Sequence, residues 1–78
     1  MGIEILVHTC RFCVAGKEYE VLVYRRPDGS HLAKTFFTPQ DVIINDGLSF
    51  EDVLAKHQRL LPLAVNSRLL LEELWRDR

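Results

Sequence analysis

Cysteine is scarce in this chain. Its two residues, Cys10 and Cys13, are too few to frame a disulfide scaffold. No apolar run is long enough to cross a bilayer as a helix. Neither sign of charge dominates. Ten Lys and Arg against eleven Asp and Glu leave a formal net charge of −1 at pH 7, which argues against a protein built mainly to hold phosphate backbones. Glycine and proline number only four and three, and no linker, repeat or low-complexity segment interrupts the chain. The opening Met1-Gly2-Ile3-Glu4 lacks the basic start and small-residue cleavage site of a signal peptide. Leu6 stands where a myristoylation start needs Ser or Thr. A cytoplasmic, reducing compartment is therefore expected. There is no phosphate-cradling glycine loop and no motif pairing a nucleophile with a base, so the expectation is a protein that is not an enzyme and needs no cofactor.

The 78 residues are 47% hydrophobic and 27% charged, a composition that suits one small α+β domain spanning residues 1–78. A chain this short buries only roughly 60% of the surface its unfolded form exposes, so each core residue counts. The clearest local signal is Tyr19 to Phe37. Glu18 to Arg25 and His31 to Thr38 are rich in β-branched and aromatic residues. Between them lies Arg26-Pro27-Asp28-Gly29-Ser30. Pro27 presets the first corner of a type I turn, Asp28 suits the second, and Gly29 accepts positive φ. This is the signature of a three-residue hairpin loop with a glycine bulge.

That turn sets a register: Tyr24 opposite Leu32, Val23 opposite Ala33, Val21 opposite Thr35 and Tyr19 opposite Phe37. Side chains alternate along a strand. An inner face then collects Tyr19, Val21, Val23, Ala33 and Phe37, and an outer face collects Glu18, Glu20, Leu22, Tyr24, Leu32, Lys34 and Phe36. Ile3 to Val14 reads as a preceding strand, joined through Ala15-Gly16-Lys17. With Gly16-Lys17 as a two-residue loop, Cys10 faces Val23 and Phe12 faces Val21. Leu6, His8, Cys10, Phe12 and Val14 then join the inner face, and Ile5, Val7, Thr9, Arg11 and Cys13 the outer.

Thr38-Pro39-Gln40-Asp41 resembles a helix start, although Val42-Ile43-Ile44 also suits a short extended segment before the Asn45-Asp46-Gly47 turn. Ser49 then caps a helix, with Glu51 and Asp52 in its first turn and Leu48 placed to staple onto Val53. Phe50, Val53, Leu54, His57, Leu60 and Leu61 carry its apolar stripe. Pro62 is expected to end or kink it. A second helix, capped at Asn66 or Ser67, runs to about Arg76. The expected architecture is thus a three-stranded antiparallel β-meander followed by two α-helices packed on one face, the side of Leu6, Phe12, Val21 and Phe37.

Three surfaces carry possible function. The outer face gathers Ile5, Val7, Leu22, Tyr24, Leu32 and Phe36 within a fringe of charge, and such patches mark protein contacts. Leu69, Leu70 and Leu71 sweep too much of a helix to face one core, so Leu71 and Trp75 are added as anchors. The leading expectation is a small interaction or regulatory module, a homodimer or the partner of another protein, binding through Leu22, Tyr24, Leu32, Phe36, Leu71 and Trp75. The first alternative is a zinc or redox site at Cys10 and Cys13, with His8 and a further histidine, His31 or His57, to complete a metal set. Parity opposes it, since residues three apart on a strand point to opposite faces. The second is weak nucleic-acid binding by Arg25, Arg26 and Lys34 near His31, with Tyr24 as a stacking platform. His57 falls on an apolar stripe, where a histidine is ordinarily a satisfied core residue. His31, beside the hairpin tip, is expected in water.

Overall fold

In the computed structural model, residues 3–76 are described, with side chains as far as Leu74. Four strands precede one helix: β1 Ile5–Val14, β2 Lys17–Arg25, β3 His31–Thr38, β4 Asp41–Gly47 and α1 Phe50–Arg76. The strands form one antiparallel sheet in the order β1-β2-β3-β4. The class is α+β, as expected, but the meander has a fourth strand and the two anticipated helices are one.

The β2–β3 hairpin is the one read from its turn. Tyr24 pairs with Leu32 and Val23 with Ala33. Gly29 N donates to Arg26 O at 3.0 Å and Arg26 N to Ser30 O at 2.9 Å. Gly29 has a φ of 89°, the left-handed geometry that a bulge glycine supplies. Tyr19 meets Phe37 edge-on at 5.6 Å between centroids.

The β1–β2 turn falls one residue earlier than expected. Ala15 and Gly16 form its loop, with φ of 53° and 78°, and Val14 pairs with Lys17. Two positive φ values match the strand twist of a tight hairpin. Cys10 therefore faces Val21 instead of Val23, and Phe12 faces Tyr19. A two-residue shift keeps every side chain on its own face, so the inner set from His8 to Val14 is unchanged. A bulge between Leu6 and His8 then reverses the parity of the strand's start. Leu6 pairs with Tyr24 and joins the outer face, against expectation.

β4 replaces the expected connector. Ile43 pairs with Thr35 and Asn45 with Ala33, so the β-branched run wins over the helix-start signal at Thr38-Pro39. Thr38 Oγ1 accepts a hydrogen bond from Gln40 N at 3.3 Å, a turn contact two residues on.

Helix α1 begins as read. Ser49 Oγ accepts from Asp52 N at 3.1 Å, and Glu51 and Asp52 lie in the first turn. Leu48, however, is 88% exposed and does not act as a staple. The helix continues through Pro62. An interior proline costs about 3 kcal/mol. Leu61 and Val65 on either side are buried against the sheet, and each such burial returns about 1.5–3 kcal/mol. Together they return about 3–6 kcal/mol, enough to offset the penalty. Ser67, expected to cap a new helix, donates to Leu63 O at 3.0 Å, a bond to the preceding turn of the same helix.

Val53, His57, Leu61 and Val65 form the buried stripe of α1, and Val21, Val23, Ala33 and Val53 the centre of the core, with Cys10, Phe12, Phe50 and Leu54 packed around them. The helix lies on the inner face only. At 1.5 Å per residue its 27 residues reach about 40 Å, most of the 48 Å long axis of the molecule.

Candidate protein interaction surface

The outer face can be built row by row from the pairings. Leu6, Tyr24, Leu32 and Asp46 form one row and Thr9, Leu22, Lys34 and Ile44 the next; beyond them Arg11 pairs with Glu20, and Phe36 with Val42. The bulk of this face is apolar and no helix crosses it. Leu6, Phe36 and Ile44 are each about half exposed, and Leu22 and Tyr24 are half-buried. Leu32 differs from expectation. It is 1% exposed and has no surface left for a partner. Its end of the face is crossed by long charged side chains. Arg26 pairs with Glu4 at 3.8 Å and with Asp46 at 3.6 Å, and Lys34 with Glu4 at 3.6 Å. The Lys34 ammonium also sits over the Tyr24 ring at 4.9 Å. Long charged stems cover apolar surface while their heads stay in water.

The same ion pairs change the reading of the basic hairpin. Arg26 and Lys34 are both engaged with acids, and Arg25 pairs with His31 on the opposite face of the sheet. The three do not form one open cationic patch. His31 is half-buried, not solvated. Its ring stands edge-on to Phe50 at 6.4 Å, and its Nδ1 is buried without a hydrogen-bond partner.

Cys10 and Cys13 lie on opposite faces, as parity requires. Cys10 is half-buried opposite Val21 and Cys13 exposed opposite Glu18, and both are free thiols. His8 shares the face of Cys10 and packs edge-on to Phe50 at 5.1 Å. Among the described residues, no three His, Cys, Asp or Glu side chains come together as a metal set. Burial pushes the Cys10 thiol up from its ordinary pKa, and thiolate is the reactive form. Cys13 is therefore expected to react with a thiol reagent several-fold faster than Cys10, which mass mapping of a timed alkylation will measure.

The second apolar surface runs along α1. Leu60, Leu63, Leu70 and Leu74 are 37%, 66%, 61% and 64% exposed. Together with Ser67 they follow alternating spacings of three and four. At 3.6 residues per turn they fall within roughly 80° of arc, centred roughly 120° from the stripe on the sheet. A shallow hollow of about 370 Å³ beside them is lined by Asn45, Lys56, Arg59, Leu60 and Leu63. Leu71, the expected anchor, is about half exposed. It lies beside a broader groove of about 630 Å³ whose walls include Tyr19, Phe36, Phe37 and Arg68. The Trp75 side chain lies outside the described residues.

Sequence reading missed two polar constructions that hold these surfaces in place. Arg68 grips Asp41 at 2.8 Å through Nε and 2.6 Å through its terminal nitrogen, and stacks over Phe37 at 4.1 Å. The guanidinium holds the Asp41 carboxyl below its ordinary pKa. This clamp ties the helix to the start of β4 before its exposed last turns begin. The other is a buried relay. Asn45 Nδ2 donates to Val53 O at 3.0 Å, which turns its Oδ1 toward His57 Nδ1. His57 Nε2 lies 2.7 Å from Thr35 Oγ1, which is itself 2.9 Å from Glu20 O. Burial lowers the His57 pKa from its ordinary value, so the ring is neutral at pH 7. Asn45 Oδ1 is an acceptor and so faces a protonated Nδ1, while the single Thr35 hydroxyl proton is donated to Glu20 O. The register already placed Thr35 opposite Val21, so a hydroxyl on the inner face was legible. Its partner was not.

Comparison of the chain with protein families, curated proteins and solved structures finds no match. Among the described residues, no helix is long and apolar enough to cross a membrane.

Proposed function

We propose that this protein is a small, non-catalytic interaction module of the cytoplasm, working by burying apolar surface against another protein chain. The observation that carries this reading is the exposed leucine stripe of α1. Four leucines stand in water on a helix whose other stripe already satisfies the core. Contiguous apolar patches of this kind are uncommon on monomers unless something covers them. The outer sheet face, with Leu22, Tyr24 and Phe36 and now Leu6 and Ile44, offers a second docking area. The histidine best placed for chemistry supports a non-catalytic role. His57 has no exposed surface, and both its ring nitrogens are held by Thr35 and Asn45. Two free thiols accord with a reducing compartment.

Cross-linking in cells, read out by mass spectrometry, tests the reading. Cross-links from Lys56, beside the stripe, to a protein chain are expected in the wild type and should be lost in a Leu63→Asp, Leu70→Asp variant. Identical cross-links in the folded variant, or none in either, would remove the reading.

A further inference from the structure

The leucine stripe carries a more specific partner than "another protein", an inference that rests on the reading just given. Written as a heptad, Leu60, Ser67 and Leu74 occupy a positions, and Lys56, Leu63 and Leu70 occupy d. Arg59, Asn66 and Glu73 then fall at g, beside the seam. All of these side chains are exposed. The two charged g residues have opposite sign and sit at opposite ends of the stripe. In a parallel pair g residues face e residues of the other copy, so each Arg59 would lie beside Ala64 and meet no opposite charge. In an antiparallel pair Arg59 and Glu73 meet as opposites.

We propose that α1 pairs antiparallel with α1 of a second copy about a two-fold axis near Asn66. In this register Leu60 packs against the partner's Leu70, and Leu63 against the partner's Ser67. By symmetry each contact occurs twice, as an isologous interface requires. Arg59 faces the partner's Glu73 at both ends. The Lys56 stem covers the partner's Leu74, while its ammonium stays with Asp52 at 3.4 Å and near Asp46 O at 3.3 Å. Ala64 and Asn66, both small, lie beside the axis and let the backbones approach. The sheet packs roughly 120° round the helix from the seam, so it leaves the approach open. The arrangement also gives the overhanging end of the helix a use. No side chain from Leu69 to Leu74 is buried within the protein, and in the pair those turns lie along the hollow by Leu60 and Leu63 of the other copy. Glu73 flanks the stripe and opposes an anionic lipid surface as its occupant.

A charge-reversal cycle tests this. Sedimentation equilibrium of the full chain over a concentration series is expected to show dimers. Arg59→Glu and Glu73→Arg should each weaken dimerisation by about tenfold, since each sets like charges together at two places. The double variant should return to within about twofold of the wild type. All sites are exposed, and unchanged circular dichroism confirms that the variants fold. A wild type that stays monomeric overturns the proposal, and so does a double variant as weak as the singles. If the protein is monomeric but Lys56 cross-links to a different protein through an intact stripe, the interaction reading stands and only self-pairing falls. Loss of both removes the two together.

Discussion

Replacing His57 by alanine is expected to lower folding stability by about 3–4 kcal/mol. The change opens a cavity under α1 and leaves Thr35 Oγ1 and Asn45 Oδ1 facing it without their partner. For a domain near the lower end of the usual 5–15 kcal/mol, this is a large share of the total. Urea unfolding measures it, and a loss under about 1 kcal/mol would show that the relay is not a structural support. The same histidine gives a pH dependence of definite sign. In the unfolded chain His57 takes up its proton near its ordinary value of 6.5, whereas in the fold burial holds that uptake to lower pH. Between the two the unfolded state binds more protons, so stability falls as pH drops. The contribution is complete above about pH 7 and is lost progressively below 6.5. A His57→Gln variant should show a shallower decline than the wild type from pH 7 to 5. Since both retain His8 and His31, the difference isolates His57.

The second large effect concerns the two leucines that flank Pro62. Leu61→Ala is expected to cost about 3 kcal/mol, as for other fully buried leucines, while Leu63→Ala should cost under about 0.5 kcal/mol. Leu61 is fully buried and Leu63 is two-thirds exposed. More than core volume is at stake, because Leu61 and Val65 are what hold the helix together across a proline. Loss of Leu61 should therefore also reduce far-UV helicity of the folded protein at 222 nm. Amide exchange between residues 63 and 74 should rise with it. Equal costs at the two positions would mean that the helix is not anchored through this point.

These features divide according to the distance over which their causes act. The β2–β3 register was legible because Pro27, Asp28 and Gly29 determine it within five residues, and the structure reproduces each pairing expected near the turn. The first hairpin was read two residues out of register, since Ala15 in a left-handed conformation carries no signal in its side chain. The face assignment survived because an even shift does not alter parity. Only the bulge before His8 broke it, and nothing in Leu6-Val7-His8 marks a bulge. β4 was hidden by Asn45-Asp46-Gly47, which reads as a turn. Asn45 is instead a strand residue whose amide bridges His57 to the helix backbone. The fused helix was hidden for the opposite reason. Pro62 is a strong local signal, overruled by packing that involves residues far along the chain. Of the candidate surface, the excess of leucine near the C-terminus was visible beforehand. Which leucines remain in water depends on where the helix meets the sheet, and so does the loss of Leu32.

Because every strand is bonded only to its neighbours in sequence, the sheet can grow one bend at a time without closing any long loop, and short closures cost the least entropy. The helix, which follows all four strands, makes the contacts of greatest sequence separation. A chain leaving the ribosome can thus assemble its strands before Leu61 has left the exit tunnel, and the helix then docks onto a waiting platform.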